Sequence, residues 1–192
     1  HAAILRYFNV AGAHDRGHLG EATPNNTHLV KVACETAMGL RPGMFINGDA
    51  HPTPDGTCIR DFVHVQDLAE AHVEVLRHLE ETRPEGVETF NVGYGQGHSV
   101  REVLETFRSV TGIDLAPTVR AAEPGDPPEL VADNRKILAT LGWRPRRNDL
   151  ELVIRSAWRW ERRLQSGRRW ETRTVQALQA RARDGVAARP AA

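Results

Sequence analysis

Between Glu88 and Phe107 the hydrophobic pattern changes period, and that change restricts the fold more than any other stretch. Glu88 to Val92 reads as a strand. Ser99 with Glu102 then forms a capping box ahead of Val100, Val103, Leu104 and Phe107, the i, i+3, i+4, i+7 set of an amphipathic helix. A strand that feeds a capped helix needs a sheet for the helix to cover, and the same switch recurs along the chain. Ala3 to Phe8 is an opening strand, Asn9 to Asn26 a long loop, Thr27 to Gly39 a helix and Gly43 to Gly48 a short strand. After the loop Asp49 to Thr57 comes the apolar run Cys58 to Val65. A helix follows that Asp67 can cap, with Glu70 three residues on, and Leu68, Val75, Leu76 and Leu79 sharing one face until Pro84 stops it. Leu115 to Val119 reads as another strand, Asp133 caps a short helix ending near Gly142, and Asn148 or Asp149 caps a longer one through Leu164. Alternating strands and helices predict an α/β protein.

At 192 residues the expectation is one main globular body over 1–165. From residue 166 Arg and Ala dominate and large apolar residues thin out, which predicts a disordered tail without assigned role. The 25 basic and 25 acidic residues cancel, so no net field recruits nucleic acid. No run of about 20 apolar residues is present to cross a bilayer. Two cysteines and no secretory signal point to a cytoplasmic setting. Because the chain starts at His1 directly on a strand, the expectation is that it is entered midway.

The residue most in need of a partner is Arg60, set inside an apolar strand. Its fixed fork of donors suits a carboxylate or phosphate, so it is either an anion clamp or half of a structural ion pair with Asp61 or another acid. Gly93, Gly95 and Gly97 stand between a strand and a helix, where a dinucleotide fingerprint would sit, with Asp114 at the distance of a ribose-binding acid. Their spacing is G-x-G-x-G rather than G-x-G-x-x-G, and a turn needing positive φ is the better reading. Asp126, held between Gly125 and Pro127, either accepts from ribose hydroxyls or completes a rigid turn. His14 and His18 lack further ligands at zinc-like spacing, His64 and His72 each read as a packed or surface residue rather than a catalyst, and neither Cys34 nor Cys58 lies in a nucleophile context.

Taken in order, Tyr7-Phe8-Asn9 with Gly12-Ala13, Asp55-Gly56-Thr57, Arg60 to Val65, Asp67-Leu68-Ala69, Phe90 to Gly93, Ser99-Val100, Pro124-Gly125-Asp126, Ala132-Asp133 and Leu141-Gly142-Trp143 resemble bacterial UDP-glucose 4-epimerases. These belong to the extended short-chain dehydrogenases, within the NAD-dependent epimerase/dehydratase family. The resemblance implies the C-terminal part of an extended Rossmann-type fold, namely the last strands of the sheet plus a small α/β substrate domain. It implies an isomerase of galactose metabolism that interconverts UDP-glucose and UDP-galactose by NAD-mediated oxidation and reduction at C4, a homodimer when full-length. Carried over, Tyr7 and Phe8 would lie beside NAD, which the N-terminal domain mainly binds. Asn9 would contact the diphosphate or sugar, His28 and Leu29 the nucleotide, and Phe45, Ile46 and Asn47 the uracil. Arg60 would clamp the diphosphate, Asp126 would bind ribose, and Leu130 would border the sugar pocket.

Three departures matter. Ala122 and Glu123 replace arginines that usually precede the Gly-Asp turn, so either Arg120 reaches in from two residues earlier or nucleotide affinity is reduced. A Gly-x-x-Gly-x-x-Gly loop is absent from these 192 residues. So is Tyr-x-x-x-Lys, since only Lys31 and Lys136 occur. No catalytic residue is therefore assigned. A portion of a related sugar-nucleotide dehydratase or decarboxylase, or a non-catalytic nucleotide-sugar binding remnant, is the alternative reading.

Overall fold

The computed structural model describes residues 1–167. Strand β1 (Ala2–Tyr7) pairs in parallel with β6 (Val87–Val92), Leu5 lying opposite Phe90. Strand β2 (Asn9–Ala11) pairs in parallel with β5 (Phe62–His64), and β3 (Phe45–Asn47) with β8 (Thr118–Arg120). The short β4 (Ile59–Arg60) lies between an antiparallel β7 (His98–Ser99) and a parallel β9 (Glu129–Leu130). Helices α1 (Leu29–Ala37), α2 (Val65–Thr82), α3 (Val100–Thr111), α4 (Arg135–Thr140) and α5 (150–167) cover these ladders.

Two buried clusters meet at β5. Strand side chains alternate between faces, and Phe62 enters one cluster with Val30, Cys34, Ile46, Phe107 and Ile154, while Val63 enters the other with Leu68, Val75, Phe90 and Trp143. A strand buried on both faces reads as a continuous apolar run, which is how Cys58 to Val65 stands in the sequence.

The capping box of α3 forms as the spacing predicts: the Glu102 N–H donates to Ser99 Oγ at 3.0 Å, and the Ser99 N–H to Glu102 Oε2 at 2.7 Å. Asp149 caps α5, taking the N–H groups of Glu151 and Leu152. Elsewhere the caps differ. Helix α1 starts two residues after Thr27. Helix α2 starts at Val65 on a His64 cap, because Asp67 is drawn inward to bind Tyr94 and Arg147. At α4 the N-cap position is Asn134, whose side chain makes no capping bond, while Asp133 one residue earlier accepts the Arg135 N–H at 3.2 Å and pairs with the Arg135 guanidinium. Leu76 is 62% exposed, since the buried stripe runs through Leu68, Ala71 and Val75 and leaves Leu76 a full step to one side. Helix α5 passes Leu164 and takes in residues 166 and 167, and the rest of the expected tail lies outside the described residues.

Of the three turn glycines only Gly95 has positive φ, at +70°. Gly93 is required for close approach instead, because a Cβ there would stand 2.6 Å from Asp61 Oδ2 and 2.6 Å from Ala132 Cβ. Asp61 is fully buried and accepts from the N–H groups of Tyr94, Gly95 and Ala132, so it knots the β6–β7 turn to the end of β9.

His64 is buried against Gly12, whose absent side chain makes room for the ring. Its Nδ1 accepts the Gln66 N–H, which leaves Nε2 to donate to Ser156 Oγ at 3.2 Å. Burial, helped by the charge of Arg147, pushes its pKa below the ordinary 6.5. The unfolded chain then takes up a proton that the folded one refuses, so stability falls as pH drops through about 6.5. The urea midpoint is expected to decline between pH 7.5 and pH 5.5, and to decline less in His64→Gln. Equal slopes in both proteins would contradict this assignment.

Candidate functional site

Two adjoining clefts meet at the first residue of β2 and share Asn9, His28, Leu29 and Phe62. The first, of about 540 Å³, is bordered by Phe45, Asn47, Arg60, Arg120 and Asp126. The second, of about 600 Å³, is bordered by Tyr7, Phe8, Gly20, Glu21, Lys31, Leu130 and Trp160. Ten of the eleven residues singled out in the sequence therefore line one cleft or both. The exception is Ile46, expected beside a uracil. Alternation along β3 sends Phe45 and Asn47 to the cleft and Ile46 into the core, 2% exposed, so its side chain cannot flank a base.

Arg60 is held at the cleft by β4, between His98 on β7 and Leu130 on β9. Its side chain is 12% exposed, and its NH2 group meets Asp126 Oδ1 at 2.5 Å while NH1 donates to the Ile59 carbonyl at 2.8 Å. The acid that pairs with Arg60 is thus Asp126 rather than Asp61, which is saturated by backbone donors. Two residues expected to serve a ligand are satisfied by each other, and with 37% of Asp126 in water an entering anion has a route to compete.

Arg120 does reach the cleft. It does so on the side of β3: Nε donates to Asn47 Oδ1 at 2.6 Å, and the guanidinium carbon lies 5.2 Å from the centre of the Phe45 ring. Glu123 stands 3.7 Å from the same guanidinium, so its charge is partly answered. Arg41, which sequence reasoning passed over, is a third cleft arginine, tied to Glu35 at 2.6 Å and to the Asn26 carbonyl. It lies in a turn between helix and strand, where a cation carries no distinguishing signal. Cys58 also lines this cleft, and burial raises its thiol pKa, which keeps it protonated and unreactive.

In the second cleft Glu21 accepts from Asn26 and sits 2.9 Å from His28 Nδ1. Its backbone carbonyl accepts from Trp160 Nε1 at 2.9 Å. The floor is the buried pair Lys31–Glu161, 2.5 Å apart. Lys31 was legible by the argument applied to Arg60, since it is a lone charge inside Leu29-Val30-Lys31-Val32-Ala33. Tyr7, Phe8 and Leu130 supply a flat apolar wall suited to the nicotinamide ring of a dinucleotide. The acids Glu21 and Glu161 do not suit its pyrophosphate, so the residues present fit only the reactive end of NAD.

The body is a Rossmann-like α/β fold, with Arg60, Arg120 and Asp126 converging on one cleft. Residues 1–93 match the NAD dependent epimerase/dehydratase family. Over 164 residues it is 51% identical to the UDP-glucose 4-epimerase of Azospirillum brasilense, covering 85% of this chain and 47% of that one. Its fold matches UDP-glucose-4-epimerase from Stenotrophomonas maltophila with bound NAD and formylated UDP-arabinopyranose, at a TM-score of 0.82 and 39% identity, over 87% of this chain and 49% of the other. The Bifidobacterium longum enzyme in complex with NAD+ and UDP matches at a TM-score of 0.78 and 34% identity, over 84% and 47%. The chain spans about half the length of the curated relatives it matches. No helix among the described residues is long and apolar enough to cross a membrane.

Proposed function

We propose that this chain is the C-terminal, UDP-sugar-binding portion of a UDP-glucose 4-epimerase. The observation that carries the proposal is the meeting of Arg60 and Asp126 in one cleft with Asn9, His28, Phe45 and Asn47. Arg60 would exchange Asp126 for the diphosphate, and Asp126 so released would take ribose hydroxyls. Phe45 offers an exposed ring for a pyrimidine to stack on, and the sugar would enter the second cleft past Asn9 and Leu130. Support for the C-terminal placement comes from the motifs the chain carries, which run in the family's order from Tyr7-Phe8-Asn9 to Leu141-Gly142-Trp143. NAD, when bound, supplies hydride transfer at C4 of the hexose, and Tyr7 and Phe8 would flank its ring. The acid–base Tyr-x-x-x-Lys and the Gly-rich cofactor loop would come from sequence outside these 192 residues, and the whole protein would act as a cytoplasmic homodimer.

Calorimetric titration with UDP tests the grip. A charge-assisted bond to phosphate is worth about 1.5–3 kcal/mol. Arg60→Ala is therefore expected to weaken UDP binding about tenfold to a hundredfold, with the loss shrinking at high salt. Binding that ignores the substitution would overturn the proposal.

A further inference from the structure

Strands β3 and β8 run parallel with Asn47 opposite Arg120, and Phe45 shares the cleft-facing side of β3 with Asn47. The Arg120 guanidinium spans both, lying over the Phe45 ring and donating Nε–H to Asn47 Oδ1 at 2.6 Å. Arginine only donates hydrogen bonds. The Asn47 amide must therefore turn its oxygen to Arg120, and the flipped orientation would set N–H against N–H. What remains free is Nδ2, two donors and no acceptor, for which no described residue supplies a partner. An amide that alone could read a donor or an acceptor is thus committed to one sense.

We propose that Arg120 is a specificity-determining positioning residue: it fixes Asn47 as a donor-only edge at the base end of the cleft, which accepts a pyrimidine carbonyl and refuses an exocyclic amine. The inference rests on reading this cleft as the UDP site. Uracil presents a carbonyl at O4, and cytosine replaces it with NH2. Two donors meeting in a partly desolvated cleft leave polar groups unpaired, which disfavours the cytidine nucleotide by about tenfold to a hundredfold. The guanidinium is engaged by Asn47, Phe45 and Glu123, so Arg120 acts on the base rather than replacing the phosphate contacts missing at Ala122 and Glu123.

The test is calorimetric titration of UDP and CDP against the wild-type chain, Arg120→Met and Asn47→Asp. Both nucleotides carry the same diphosphate, so any loss of phosphate attraction cancels in the ratio of their affinities. The wild type is expected to prefer UDP by at least about tenfold, and Arg120→Met, which keeps an unbranched apolar side chain but no donors, to bring the ratio within about threefold. Asn47→Asp, with one oxygen held by Arg120 and the other facing the cleft, is expected to favour CDP. UDP binding with no preference over CDP, or a ratio unchanged in both variants, overturns this inference and leaves the UDP site standing. A wild type that binds neither nucleotide overturns both.

Discussion

Asp67→Ala is expected to cost the fold about 3–5 kcal/mol, the range seen when one partner of a buried ion pair is removed. The side chain is fully buried, and both of its oxygens are in use. Oδ2 accepts from the Tyr94 hydroxyl at 2.7 Å and from the N–H groups of Arg146 and Arg147 at 3.0 and 2.8 Å; Oδ1 accepts from Arg147 NH1 at 2.8 Å. One carboxylate thus ties the first turn of α2 to the turn after β6 and to the segment leading into α5. Burial and the bond to Asp67 push the Tyr94 phenol well above its ordinary pKa, so it stays a donor. The Tyr94 oxygen also accepts the His64 N–H at 3.0 Å, linking the hub to the α2 cap. Alanine would strand two backbone donors and the phenol, although Arg147 would keep Glu70 and Asp15. Asp67→Asn retains an acceptor without the charge and should lose roughly half as much. Natural domains hold only about 5–15 kcal/mol in reserve, so the urea midpoint should drop steeply in the alanine variant. A midpoint within error of the wild type would mean that the hub is not structural.

Asp67 also marks where local reading of the sequence stops. The pattern Asp67-x-x-Glu70 satisfies the rule for a helix start, yet its demand for a cap is weaker than the demand of Arg147, some eighty positions away, for a buried carboxylate. Where cap and amphipathic stripe agree, as at Ser99, the sequence predicts the element correctly. Leu76 fails for a related reason, since one apolar residue beside a stripe does not show how wide the covering layer is. The doubly buried β5 was visible as an apolar run, but its pairing with β2 joins positions more than fifty residues apart and left no local trace.

At the candidate site the chemistry was more legible than the pairing. A lone Arg in an apolar strand announces that an anion is needed, and the structure supplies Asp126 from 66 residues on. Composition alone could not choose between a structural partner and a ligand. The geometry makes the two uses compatible, because a partly exposed Asp126 can hold Arg60 until phosphate arrives. Ile46 shows the complementary limit. A motif carried over as three consecutive residues ignores that a strand presents only alternate ones.

The floor of the second cleft makes a sharper energetic test. Lys31 and Glu161 are 5% and 1% exposed, with Nζ to Oε2 at 2.5 Å, and they join α1 to α5. Lys31 Nζ also donates to the Glu21 carbonyl at 3.3 Å, and Glu161 Oε1 accepts from Gln165 at 2.7 Å. Taking two charges out of water is costly, and their attraction returns that cost only while both are present. Lys31→Met is expected to destabilise by about 3–5 kcal/mol because Glu161 would remain charged in an apolar wall, and Glu161→Leu by a similar amount. Glu35 would not be orphaned by the lysine change, since Arg41 holds its other oxygen at 2.6 Å. The double variant Lys31→Met, Glu161→Leu removes the charges together and fills the volume, so it should return to within about 1–2 kcal/mol of the wild type. A thermodynamic cycle built from urea titrations of the four proteins measures the coupling directly. Single losses that simply add in the double variant would show that the two side chains stabilise the fold independently, and that the α1–α5 contact rests on the surrounding Cys34, Ala157 and Trp160 instead.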